Sequence, residues 1–186
     1  MKRIIVLLLT AVILCGCSRE NSEFDRAMSV RTGILGAKGC SFLAHITADF
    51  VDKTYTFVMQ CQADQTGNIQ FELTEPDYLM GIEGTIAAEG GKLIFEDTAL
   101  AFTLQPDGVL SPVSAPWLLM RALRGGYVRH CVFEEEYLRI TVDDSYEEDA
   151  LTLDIWVDEN NAPVQADIFQ NNVRIMTISI KDYRLL

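Results

Sequence analysis

An alternation of apolar and polar residues with a period of two begins at Cys40 and returns through most of the chain. From Cys40 to Ala48 every second residue is apolar or small, and the residues between them are mostly polar. The same pattern reappears from Tyr55 to Cys61. Successive side chains of a β-strand point to opposite faces of a sheet. The pattern therefore predicts strands that have one buried face and one solvated face.

Short turn sequences divide this pattern into about ten or eleven strands. Asn171-Asn172, for example, predicts a two-residue hairpin turn, because asparagine tolerates positive φ. Helical spacing is found instead from Ser22 to Gly36 and from Ala115 to Arg124. A sheet with one apolar face must bury that face. We therefore predict a mainly β protein of the α+β type, in which a curved antiparallel sheet forms an unclosed barrel covered by two short helices.

The N-terminal segment has the features of a secretory signal peptide. Met1-Lys2-Arg3 precedes an apolar run of about 11 residues, shorter than the roughly 20 residues that a membrane-spanning helix needs. The following tetrad, Leu14-Cys15-Gly16-Cys17, resembles the bacterial lipobox, in which the last cysteine is acylated. We expect a signal peptide over residues 1–16, a lipidated tether over 17–22 and a single domain over 23–186. Cleavage elsewhere and a retained anchor are the alternatives.

Acylation at Cys17 predicts where the protein is found. A single acyl chain binds a membrane only marginally, whereas two or more chains hold a protein there stably. We expect an extracytoplasmic protein that is lipid-anchored to the cell membrane. In a cell with two membranes, Ser18 also permits the outer membrane, since the retention signal of bacterial lipoproteins at this position is usually aspartate. The formal net charge of −12 argues against a nucleic-acid partner.

Cys40, Cys61 and Cys131 are the cysteines of the expected domain. An odd number argues against a complete disulfide framework. Cys40 and Cys61 lie on neighbouring predicted strands and are the candidate pair for one bridge. The alternative is that all three are buried thiols that behave as small apolar residues.

No residue pattern predicts catalysis, a metal site or a cofactor. His130 precedes Cys131, but adjacent residues of a strand point to opposite faces and do not readily share a metal ion. The acidic run from Asp143 to Asp149 lacks the glycine and the ligand spacing of a calcium loop. That run and Glu134–Glu136 are predicted to be solvated connections. We expect a protein that is not an enzyme.

The end of the chain resembles a known family. Residues 153–164 read as a strand, an acidic turn and a proline that starts the next strand, and a last hairpin ends near Lys181-Asp182-Tyr183. This arrangement resembles the lipoprotein-sorting carriers (LolA/LolB-like proteins), and the two predicted helices follow the same order. The resemblance implies a half-barrel with a helical lid, whose concave interior holds acyl chains or a lipidated protein. Relatives on this scaffold are also envelope-stress sensors or lipoglycan carriers.

The second predicted helix supplies the candidate lid and ligand contacts, which are Trp117, Leu118 and Met120. The alternative is an ordinary core helix. We expect a membrane-anchored lipoprotein that binds a hydrophobic ligand in a concave β-sheet, the ligand being an acyl chain, a lipid or a lipidated protein. The alternative function is an anchored protein-interaction or envelope-sensing module with a filled core and no ligand.

Overall fold

A computed structural model describes residues 22–50, 53–95, 98–104, 110–147 and 150–186. Cys17 and the predicted signal peptide lie outside these residues. The described part of the chain contains two α-helices, α1 (Ser22–Gly36) and α2 (Ala115–Gly125), and two short 3₁₀ turns, Asp77–Leu79 and Pro112–Ser114. The strands are β1 (Gly39–Phe50), β2 (Lys53–Asp64), β3 (Ile69–Glu75), β4 (Glu83–Ala87), β5 (Gly90–Phe95), β6 (Thr98–Phe102), β7 (Tyr127–Glu134), β8 (Tyr137–Asp143), β9 (Thr152–Val157), β10 (Pro163–Gln170) and β11 (Val173–Leu185).

All eleven strands belong to one antiparallel sheet in the order β6-β5-β4-β3-β2-β1-β11-β10-β9-β8-β7. The first and last strands pair with each other at the centre, where Ala44 lies opposite Ile180. β6 and β7 are the two edges, and no ladder between described residues joins them, so the sheet is an unclosed barrel. The predicted fold class is confirmed. It is also the architecture that the resemblance to LolA/LolB-like proteins implied.

The predicted alternation is seen directly in the burial of β1. Phe42, Ala44 and Ile46 are buried, whereas the residues between them are partly exposed. Residues directly opposite one another in a ladder share a face. Cys61 lies opposite Phe42 and also opposite Phe71 of β3, so this inner face continues across the sheet.

The two helices cover the inner face to different degrees. α1 buries one side only, through Ala27, Val30 and Ile34. α2 buries eight of its eleven residues, which places it inside the curl of the sheet. The inner face and both helices together form one apolar core. Within the described ranges, no helix is long and apolar enough to cross a membrane.

Candidate functional site

An open cavity of about 290 Å³ lies beside α2. Trp117 and Leu118 of the helix line one side of it. Ala88, at the turn after β4, and Gln170, at the end of β10, line it from two distant parts of the sheet. The cavity therefore lies where the two halves of the curled sheet approach each other. Its apolar lining is completed by Leu104, Leu110, Ala150 and Leu151.

One side of the cavity is polar. Arg121 and Asp144 both line it, and Arg121 Nη1 lies 3.4 Å from Asp144 Oδ2. The guanidinium carbon of Arg121 is also 5.4 Å from the centre of the Trp117 ring, which is the distance of a cation–π contact. Asp144 Oδ1 accepts a 2.8 Å hydrogen bond from the backbone N–H of Leu151. The cavity thus combines an apolar wall with a fixed pair of charges.

The three candidate lid residues of the sequence analysis do not share one environment. Trp117 and Leu118 line the cavity. Met120 packs in the core, where its sulfur lies 3.7 Å from the sulfur of Cys40 and its exposed fraction is 1%. Residues three and four apart lie on one side of a helix. Arg121 therefore joins Trp117 and Leu118 at the cavity, although no sequence pattern singled it out.

The apolar inner face extends beyond the helices towards the edge strand β6. Phe71, Gly84, Leu93 and Leu100 are successive cross-strand partners, so they share this face. Their exposure rises along the row, from 4% at Phe71 to 63% at Leu100. The helices therefore cover the centre of the inner face and leave apolar side chains accessible at the β5–β6 edge.

The described cysteines are all free thiols, so the alternative of a Cys40–Cys61 bridge is not realised. In the β1–β2 ladder Cys40 lies opposite Ala63 and Cys61 lies opposite Phe42. The two cysteines are therefore diagonal neighbours rather than direct partners. Burial raises the pKa of both thiols, which keeps them protonated. Both act as core residues.

The structure separates the side chains that might have formed a metal site. His130 lies opposite Thr141 and Cys131 opposite Ile140, so they are on opposite faces of β7. Within the described ranges, no three histidine, cysteine, aspartate or glutamate side chains are grouped closely enough to hold a metal ion.

The prediction of solvated acidic residues was wrong for Asp144, whose side chain is 8% exposed, whereas Glu134 is 42% exposed and also hydrogen-bonded. Glu134 is the last residue of β7, and its carboxylate accepts hydrogen bonds from Trp156 Nε1 at 3.0 Å and Arg139 Nε at 2.7 Å. Asp144 is held by Leu151 and Arg121, as described above. In the sequence, the one indication of the hydrogen bonds around Glu134 was Trp156, an aromatic residue on an otherwise polar strand face. No sequence pattern indicated the ion pair between Asp144 and Arg121, because Arg121 is distant in the chain.

No family model and no curated protein matches this chain. Among solved structures, it is similar to a LolA superfamily protein from Nitrosomonas europaea, with a TM-score of 0.44 and 9% identity over 86% of this chain and 93% of that one. A putative outer membrane lipoprotein-sorting protein domain from Vibrio parahaemolyticus has a TM-score of 0.46 and 8% identity over 88% and 92%. The lipoprotein LppX of Mycobacterium tuberculosis has a TM-score of 0.41 and 10% identity over 87% and 93%. These names include the family that the end of the chain resembles.

Proposed function

We propose that this chain is an extracytoplasmic lipoprotein, anchored to a membrane through an acylated Cys17, that binds a hydrophobic ligand beside α2. The ligand is an acyl chain, a lipid or a lipidated protein. The cavity lined by Trp117, Leu118 and several leucines is the observation that most supports this function. Its volume of about 290 Å³ is close to the lower end of ligand sites, roughly 300 Å³. Each methylene group buried there contributes about 0.8 kcal/mol to the affinity.

The accessible inner face at the sheet edge supports the same function. Leu104, which lines the cavity, follows β6 by two residues. Leu100 on β6 is an exposed apolar residue of the inner face. An acyl chain longer than the cavity therefore has further apolar surface close by. Contact with that surface removes it from water, which is favourable.

An anchored interaction or envelope-sensing module without a ligand is the second candidate. The burial of α2 favours it, because most of the helix already fills the interior. The two functions differ in whether an apolar molecule enters the cavity.

The anchor is tested on protein purified from its own membranes. Native mass spectrometry should show an acyl mass on the N-terminal residue Cys17, together with any lipid that copurifies. Cys17→Ser should not incorporate labelled palmitate. Equal labelling of the variant and the unchanged protein would contradict the anchor.

The ligand site is tested by photolabelling the mature protein in phosphatidylcholine nanodiscs with a diazirine fatty acid. We expect labelled peptides to contain the cavity residues around Trp117 and Leu118. Ala88→Phe places a ring at the exposed cavity rim and should reduce this labelling. Ala99→Phe is the matched control, since Ala99 is exposed on the opposite face of β6 from Leu100. A folded protein that is not labelled at the cavity supports the second candidate.

A further inference from the structure

We infer that the cavity selects amphiphiles with an anionic head group, because Arg121 is the charged group that an entering molecule meets. This inference rests on the proposed function and names the class of ligand. Among the described residues that line the cavity, Arg121 carries the one positive charge and Asp144 the one negative charge. The accessibility of each charge therefore determines which kind of head group the cavity binds.

The exposure of the two side chains decides between them. The side chain of Arg121 is 44% exposed, whereas that of Asp144 is 8% exposed. One oxygen of Asp144 accepts the N–H of Leu151 at 2.8 Å, and the other faces Arg121. A guanidinium has five N–H donors, so Arg121 can bind a second anion while it stays near Asp144. The carboxylate has no comparable access for a cationic head group.

The contact with Trp117 further favours an anion. A quaternary ammonium group is typically recognised on the face of an aromatic ring. The guanidinium of Arg121 already lies over the ring of Trp117, at 5.4 Å from its centre. It therefore occupies the position that a quaternary ammonium group would take. The same contact holds the guanidinium in place. The planar N–H donors of the guanidinium match the oxygens of a carboxylate or a phosphate.

The position of Arg121 on α2 suits an amphiphile. Arg121 follows Leu118 by three residues and Trp117 by four, so all three lie on one side of the helix. A tail that packs against Trp117 and Leu118 therefore brings its head group to the guanidinium. The net charge of −12 opposes an anion at long range. Salt screens such repulsion beyond about 8 Å at physiological ionic strength, whereas the contact itself is screened less.

The test uses two diazirine photolabels with the same alkyl chain, one ending in a carboxylic acid and one in an alcohol. The mature, lipidated protein is placed in phosphatidylcholine nanodiscs at pH 7, and labelling of the cavity is titrated with each compound. The ratio of the two apparent affinities is compared between proteins, so the partition of the compounds into the bilayer cancels. The variants are Arg121→Met, which keeps an extended apolar side chain without the charge, and Arg121→Lys, which keeps the charge.

The matched control is Arg124→Met, on the same helix and with the same loss of charge. Arg124 donates to the backbone carbonyl of Gln65 and does not line the cavity.

We expect Arg121→Met to lower the acid-to-alcohol affinity ratio by about twofold to fivefold, which is the effect of a partly exposed charge pair. Arg121→Lys should lower it less, and Arg124→Met should leave it unchanged. An equal ratio in the unchanged protein and in Arg121→Met would overturn the inference while leaving a hydrophobic site intact. If neither compound labels the cavity, the proposed function fails, and the inference fails with it.

Discussion

The guanidinium of Arg31 on α1 donates a 2.7 Å hydrogen bond to the carbonyl oxygen of Gly126, the residue that follows α2. It also donates to the carbonyl oxygens of Leu123 at 2.9 Å and Ala122 at 3.2 Å. The last carbonyl groups of a helix lack partners within the helix, and a cation near them is favourable. One side chain of α1 therefore satisfies the C-terminal end of α2 and joins the two helices.

Replacing Arg31 with Met should lower the free energy of unfolding by about 1–3 kcal/mol, because partly buried carbonyl groups lose charged donors. Urea denaturation measures the change. Arg31→Lys should cost less, since an ammonium group keeps the charge but cannot reach all three oxygens. Arg184→Met is the control, because Arg184 is exposed on β11 and should matter by less than about 0.5 kcal/mol. If Arg31→Met unfolds like this control, the three hydrogen bonds contribute nothing measurable.

Trp117→Ala and Met120→Ala should have different consequences. Met120 is a core residue, and its truncation should lower the free energy of unfolding by about 2–5 kcal/mol. Labelling of the cavity by a fatty-acid photolabel should then change little in the fraction that stays folded. Trp117→Ala removes part of the cavity wall and should weaken labelling as well as stability. Both variants are compared by denaturation and by photolabelling. Equal loss of labelling would contradict the assignment of Trp117 to the cavity wall and of Met120 to the core.

The buried thiols should resist alkylation in the native protein. Burial raises the pKa of Cys61, with a smaller effect from Cys40, and burial also raises the pKa of Cys40. An exposed thiol ionises near pH 8.5. At pH 8 the two thiols therefore remain protonated, and iodoacetamide attacks thiolates. Mass spectrometry should show their modification only after denaturation, with the partly exposed Cys131 modified earlier. Rapid native modification of Cys61 would show that this part of the core opens.

The hydrogen bond from Trp156 to Glu134 should make stability depend on pH below about pH 5. The indole N–H of Trp156 has the largest effect and lowers the pKa of Glu134; desolvation opposes it, and Arg139 lowers the pKa further. A carboxyl group whose pKa is lowered by folding stabilises the protein above its unfolded pKa of roughly 4.3. That stabilisation is lost as the pH falls through the folded pKa. Trp156→Phe removes the donor, so its melting temperature should fall less between pH 6 and pH 3 than that of the unchanged protein. If the melting temperatures of both proteins fall equally between pH 6 and pH 3, the hydrogen bond from Trp156 to Glu134 does not contribute to the pH dependence of stability.

Much of the architecture was predictable because it depends on neighbours in the chain. The alternation from Cys40 to Ala48 is found as the buried pattern of β1. Asn171 and Asn172 both have positive φ, of 51° and 62°, as the predicted hairpin turn requires. Turns and alternation follow from local conformational preference and from the period of a strand, so a single sequence contains both.

The end of β11 shows where local preference ceases to be sufficient. We predicted a last hairpin that ends near Lys181-Asp182-Tyr183, whereas β11 continues to Leu185. Asp182 has a φ of 53°, and the β1–β11 ladder shifts register opposite it, between Ser41 and Leu43. Such a bulge is stable here because β1 pairs with the residues beyond it, and that partner is far away in the sequence.

The amino-acid sequence alone determined a mainly β chain with two helices, and it predicts the acylation of Cys17 from a short N-terminal pattern. The cavity required the tertiary structure, because its lining comes from parts of the chain as distant as Ala88 and Gln170. The separation of Trp117 from Met120, and the ion pair between Arg121 and Asp144, likewise depended on how the sheet curls around α2. Periodicity specifies which face of an element is apolar, but only the packing of distant elements decides whether that face is filled, open or charged.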